Sequence, residues 1–182
     1  MGHIEFETAT LHAETDLFTK PAQARVITNF IYGEEKELAI VSSDEIPFFF
    51  SYEGRLLGGM KIDKEATLSG ELKRHMESFL QSEHADPKKL DCYLGPALTF
   101  SHNPAERSLQ EQLIQKGYRA VCKRGHGVDY VDLPLLNALY LRELGIPMEN
   151  IEISEYGTYE IPYLASQSAG KEGENITVVR LK

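Results

Sequence analysis

Residues 46–60 read IPFFFSYEGRLLGGM: an apolar, aromatic run, a Glu53-Gly54 punctuation, then a second apolar run that ends on two glycines and a methionine. Runs of this length and composition, bounded by turn residues, predict two strands joined as a hairpin, since Gly tolerates the positive φ of a tight turn. Working outward, residues 25–32 (RVITNFIY) and 37–42 (ELAIVS) predict two more strands, with Gly33, Glu34, Glu35 and Lys36 as their turn. Four neighbouring antiparallel strands are the expectation for this half of the chain.

After residue 67 the period changes from two to that of a helix. Leu68, Leu72, Met76, Phe79 and Leu80 share one face, with Lys73, Arg74, Glu77 and Gln81 opposite and Thr67 or Ser69 as the cap. A second helix is predicted with Asn103 as N-cap, Pro104 at its first position, Ala105, Leu109, Leu113 and Ile114 inward and Gly117 past its end. A third opens at Asp132, carries Pro134 in its first turn, buries Leu135, Leu136, Leu139 and Leu144, and stops at Gly145. Strands are predicted at 90–98, 118–122, 151–153 and 176–181, and a polar loop at 166–175. This alternation predicts one α/β domain over residues 1–182, with mixed, largely antiparallel sheets flanked by about three helices.

Composition narrows the function. The 182 residues carry 28 acidic and 19 basic side chains, a net charge of −9, so nucleic acid is not an expected partner. No apolar stretch approaches the 18 or so residues a membrane span needs, and no membrane partner is expected. The first residues have neither a basic start nor an apolar core, so no export signal is expected and the cytoplasm is the expected compartment. Two cysteines, Cys92 and Cys122, are too few for a disulfide framework and read as reduced strand residues rather than nucleophiles.

Phosphate loops, dinucleotide fingerprints, nucleophile elbows and paired histidines at helical spacing are all absent from the sequence. Lys123-Arg124-Gly125-His126-Gly127 could contact an anion or other ligand through Lys123, Arg124 and His126, although a solvated turn before the third helix is the simpler reading. His75, His84 and His102 read as surface or turn residues, and His3 and His12 are nine apart, which is no recognised ligand spacing.

Several segments, in consistent order, resemble the laccase-domain family, also called the YfiH-like or polyphenol oxidoreductase family. Leu94-Gly95-Pro96-Ala97-Leu98 is similar to its Gly-Pro-small-Ile segment, and Asp132-Leu133 through Asn137 to its Asp-Leu-x-x-x-Asn segment. Asp44-Glu45-Ile46-Pro47 resembles its Asp-Cys-Leu-Pro, and Glu53-Gly54-Arg55 through Met60 resembles the strand leading into His-Ala-Gly-Trp-Arg-Gly. Asp16-Leu17-Phe18-Thr19 resembles an upstream Asp-Ala-Leu-Val-Thr, and Gly157-Thr158 stands where the family has Cys-Thr. The resemblance implies a mixed-sheet α/β fold, a metal site of two His and one Cys usually described as zinc-binding, older copper-oxidase labels, and phosphorolysis or deamination of purine nucleosides. Such a zinc ion keeps an open position that activates water or polarises substrate.

Carried over residue by residue, the family's Cys ligand falls on Glu45, its second His on Lys61 and the motif Arg near Glu65. A protonated ammonium is no metal ligand and a carboxylate is no soft donor, so neither zinc nor copper is expected as a cofactor. The chain is also expected to lack the N-terminal portion holding a Val-His-Gly motif, to which His3 or His12 would correspond only loosely. An unpaired strand edge left there would favour a homodimer. The expected function is a non-catalytic or diverged family member; the alternative is a nucleoside enzyme with a rebuilt metal-free pocket around Glu45 and Lys61.

Overall fold

The computed structural model describes residues 3–19 and 23–182, built as two five-stranded sheets, a two-stranded hairpin and four helices. In chain order the elements are β1 (Ile4–Glu7), β2 (Leu11–Leu17), β3 (Arg25–Val26), β4 (Ile31–Gly33), β5 (Glu37–Ser42), β6 (Ile46–Tyr52) and β7 (Leu56–Ile62). Helices α1 (Lys64–Ser69) and α2 (Glu71–Ser82) precede β8 (Leu90–Leu94), α3 (Arg107–Gln115), β9 (Cys122–Gly125) and β10 (Val128–Val131). Helix α4 (Leu133–Glu143), β11 (Ile151–Ile153) and β12 (Asn175–Leu181) complete the chain.

The expected hairpin is the centre of the molecule. Strands β6 and β7 pair antiparallel from Ile46↔Ile62 to Tyr52↔Leu56, within a sheet of order β11-β8-β6-β7-β4. Every residue of β6 is buried, because this sheet is covered on both faces. Phe48, Phe50 and Tyr52 point to α2 and α4, where they meet Leu72, Met76, Phe79 and Leu136. Phe49, with Leu57 and Tyr93, points the other way onto Leu11, Leu38, Ile40 and Val179 of the second sheet, β1-β2-β12-β5-β3. Burial on both sides removes the alternation a one-faced strand would show. The two glycines of β7 make room for the phenylalanines: a Cβ on Gly58 would lie 2.5 Å from the Phe50 ring and 2.7 Å from the Ile31 carbonyl oxygen.

Several expectations are corrected. Residues 25–32 form two short strands, not one, and these lie in different sheets: β3 runs parallel to β5, and β4 runs antiparallel to β7. The Ile27 N–H donates to the Ala39 carbonyl and the Lys61 N–H to the Thr28 carbonyl, so the chain crosses between sheets at this point and Gly33 opens no hairpin to β5. The expected first helix is two helices. Asp63 caps α1 by accepting from the Ala66 N–H at 2.7 Å, and Gly70, at φ 72°, ends α1 and starts α2, so neither Thr67 nor Ser69 is a cap.

The second helix starts at Arg107 instead of after Asn103. Residues 103–105 are held extended against β10, where the Val131 N–H donates to the Asn103 carbonyl and the Ala105 N–H to the Asp129 carbonyl. Asn103 turns its amide onto the Leu98 and Thr99 carbonyls instead of capping. Residues 119–121 form a 3-10 turn, so the strand there begins only at Cys122. The third expected helix stands as α4, with Asp132 accepting from the Leu135 N–H at 3.0 Å and Gly145 at φ 91° beyond its end.

Candidate functional site

The β5–β6 turn and the end of β7 lie side by side, because the β6–β7 register places Lys61 opposite Pro47 and therefore near Glu45. Lys61 Nζ is 3.8 Å from Glu45 Oε1, while Glu45 Oε2 accepts the Ser43 N–H at 2.8 Å. Glu45, Lys61 and Glu65 line one cleft of about 380 Å³ with Thr28, Asn29 and Ser69. A second cleft of about 200 Å³ shares Glu45 and Asp63 with it and is closed by Asn103, Leu133 and Ser168. The fold thus gathers the three positions that the sequence reading had singled out.

Asp44, beside them, organises the floor. Its Oδ1 accepts from the Thr158 hydroxyl at 2.8 Å and the Ser166 hydroxyl at 2.7 Å, and its Oδ2 accepts the Ser168 N–H at 2.8 Å. Burial opposes its ionisation, but the hydrogen bonds from Ser166, Ser168 and Thr158 outweigh it and hold the carboxyl below its usual range. Lys171 fastens the same loop by donating to the carbonyls of Thr158 at 2.6 Å, Tyr159 at 3.1 Å and Ile161 at 2.7 Å. Sequence reading noted Asp44 only as part of a resemblance. Its role depends on contacts more than 110 residues away, which no local pattern carries.

The donor set at this place is a carboxylate paired with an ammonium, and it does not fit a site built from two imidazoles and a thiolate. Among the described residues, no three His, Cys, Asp or Glu side chains form a group able to hold a metal ion. His12 lies between Glu7 at 3.3 Å and Glu14 at 3.2 Å, level with Arg180 and Glu37 at the far end of β5 from Ser42. That is five residues away along the strand, roughly 17 Å. His3 bonds Glu5 at 2.8 Å on the outer strand side of β2, three strand spacings from β5, roughly 14 Å.

At the position of the family's late Cys stands Gly157, where a Cβ would overlap the Glu160 carboxylate and lie 2.6 Å from Thr99 Cγ2. Neither thiol is placed for chemistry. Cys92 is fully buried in the β8 core and burial pushes its thiol far up; burial also raises Cys122, whose Sγ donates weakly to the carbonyls of Gln110 and Tyr118.

Lys123, Arg124 and Gly125 belong to β9, and His126 at φ 50° and Gly127 at φ 79° turn it into β10, so the segment is a β-hairpin rather than a turn leading directly into a helix. Arg124 donates to Asp129 at 2.9 Å, as Arg107 does at 3.2 Å. Strand alternation puts Lys123 and Arg124 on opposite faces, so these two cations do not converge. No helix of the described residues is long and apolar enough to cross a membrane.

Comparison with known proteins agrees with this architecture. The chain is similar to two curated Staphylococcus epidermidis proteins named purine nucleoside phosphorylase, at 29% and 28% identity over 125 residues. The match covers 68% of this chain but only 46% of each relative, so the chain spans less than half their length in the match. Among solved structures it resembles the Bacillus licheniformis hypothetical protein YfiH, with a TM-score of 0.72 at 20% identity, covering 85% of this chain and 62% of that one. YlmD from Geobacillus stearothermophilus is similar at TM-score 0.70 and 20% identity, covering 85% and 61% respectively. These establish a shared fold. Residues 34–182 match the model of the family described as multi-copper polyphenol oxidoreductase laccase, and the chain belongs to that family.

Proposed function

We propose that this chain is a laccase-domain protein that has kept the scaffold and a nucleoside-sized cleft and has given up the family's metal-dependent chemistry. The observation that carries the proposal is the Glu45–Lys61 pair at 3.8 Å. It puts a hard anion and a cation where the resemblance assigns a thiolate and an imidazole. A fixed ammonium repels a metal ion, and the paired carboxylate is already satisfied by it and by the Ser43 N–H. Glu65 on the same cleft replaces a cation that would attract phosphate. The protein then acts by binding rather than by turnover.

Incubation with purine nucleosides, with and without phosphate and with zinc or copper added, tests this. The expected result is no phosphorolysis or deamination above background; metal-stimulated turnover would overturn it. The two clefts meeting at Glu45 favour one second reading, an enzyme using Glu45 as base beside the Lys61 cation. Metal-independent turnover lost in both Glu45→Ala and Lys61→Ala would select it.

A further inference from the structure

The smaller cleft, of about 200 Å³, has an aliphatic wall of Ile46, Ile62, Leu98 and Leu133, and the side-chain amide of Asn103 is set among them. Asn103 is only 6% exposed. Its backbone is pinned twice, the N–H donating to the Phe100 carbonyl at 3.0 Å and the carbonyl accepting the Val131 N–H at 3.0 Å. Its Nδ2 is spent on the carbonyls of Leu98 at 3.3 Å and Thr99 at 3.2 Å. Turning the amide end for end would set an oxygen against both carbonyls, so the orientation is fixed. Among the described residues Oδ1 has no partner, and unlike the enclosed Asn137 Oδ1 it is not sealed in the core. It is the polar atom that this buried side chain has left to offer the cleft.

A fixed acceptor in an aliphatic wall selects for a donor. Water satisfies such an oxygen while the cleft is free. A ligand that displaces the water either brings an N–H or O–H in its place or leaves the oxygen buried and unpaired. The charged groups of the cleft point the same way. Asp63 accepts the Ala66 N–H with Oδ1, and no donor among the described residues meets its Oδ2. Glu45 is already held by Lys61 and the Ser43 N–H. Lys64, the cation among the described lining residues, donates to the Pro104 carbonyl at 3.2 Å. Open acceptors beside four aliphatic side chains suit a flat ring with an amino group on its edge.

We propose that Asn103 is a specificity-determining residue of this cleft, its Oδ1 accepting a hydrogen bond from the exocyclic amino group of a planar heterocycle that lies against Ile46, Ile62, Leu98 and Leu133. This rests on the reading of the cleft as a nucleoside-sized binding site and narrows it to amino-bearing purine nucleosides. The larger cleft, which shares Glu45 and Asp63, then takes the sugar.

Isothermal titration calorimetry of the full chain, without phosphate or metal, tests it with two matched pairs of nucleosides. Adenosine is compared with purine riboside and guanosine with inosine, so that each pair differs by one amino group. In at least one pair the amino-bearing member is expected to bind roughly tenfold or more tightly than its counterpart. Asn103→Ala, checked for an unchanged circular dichroism spectrum, should erase that difference by weakening the amino-bearing member alone. A variant that weakens both members alike and keeps their ratio would overturn the assignment, and if the variant does not fold, the wild-type pairs decide. Equal affinities within both pairs would overturn the inference and leave the nucleoside cleft standing. Failure of all four nucleosides to bind would overturn the reading of the cleft and this inference with it.

Discussion

Asp44 commits both oxygens to the loop that closes the cleft, through Thr158, Ser166 and Ser168. Asp44→Asn leaves one acceptor and turns an N–H against the Ser168 N–H, so a loss of about 2–3 kcal/mol is expected in urea unfolding. The pH dependence follows from the sign of the shift. The folded carboxyl lies below its ordinary value, so its stabilisation is full above about pH 4, the unfolded value, and is lost as pH falls through the folded one. The difference between wild type and Asp44→Asn should therefore shrink on acidification; a difference that grows would contradict the assignment. Gly157 gives a second test at this scale. Gly157→Cys brings back the residue type the family places there, yet it presses on Glu160 and Thr99, and a loss of about 1–3 kcal/mol is expected by the same measurement. Glu45, Lys61 and Glu65 entered the reading only through the family resemblance, and the structure places all three on one cleft. Asp44 and Glu160 take their meaning from partners in remote loops, so inspection of their neighbours could not reveal it.

At the scale of elements, β6 and β7 and the limits of α4 were legible, since local chemistry and tertiary packing agree there. Gly59 is the sharpest probe of that agreement: a Cβ would be driven into the Phe48 carbonyl and lie 3.0 Å from the Phe49 ring, so Gly59→Ala should cost about 1–3 kcal/mol in thermal or urea unfolding. Asp63→Ala removes the α1 cap and should cost about 1 kcal/mol, with Asp63→Asn largely preserving it. Where the reading failed, tertiary contacts overruled a local signal. Residues 25–32 have the composition of one strand, but Ile27 is buried between the sheets while β4 pairs β7, so the segment must change sheets. Asn103-Pro104 has the form of a helix start, but hydrogen bonds to Asp129 and Val131 hold it extended for three more residues. The Gly70 break was masked because Leu68 and Leu72 keep helical spacing across it.

For the whole molecule, the match of residues 34–182 shows the family scaffold, and the loss of its metal chemistry is what we propose. The fold is retained through buried features that have nothing to do with metal: the double-faced β6, the glycines of β7 and the Asp44 network. The positions to which the family resemblance assigns two metal ligands hold a carboxylate–ammonium pair, brought together by the β6–β7 register. The central claim, that this pair replaces the metal site, is tested most directly by elemental analysis of the protein purified without chelators and dialysed against zinc and copper in turn. The account predicts well under one equivalent of either metal per chain, and no change when Glu45→Ala and Lys61→Ala are compared with wild type. One tightly held equivalent in the wild type, lost in Glu45→Ala, would contradict it.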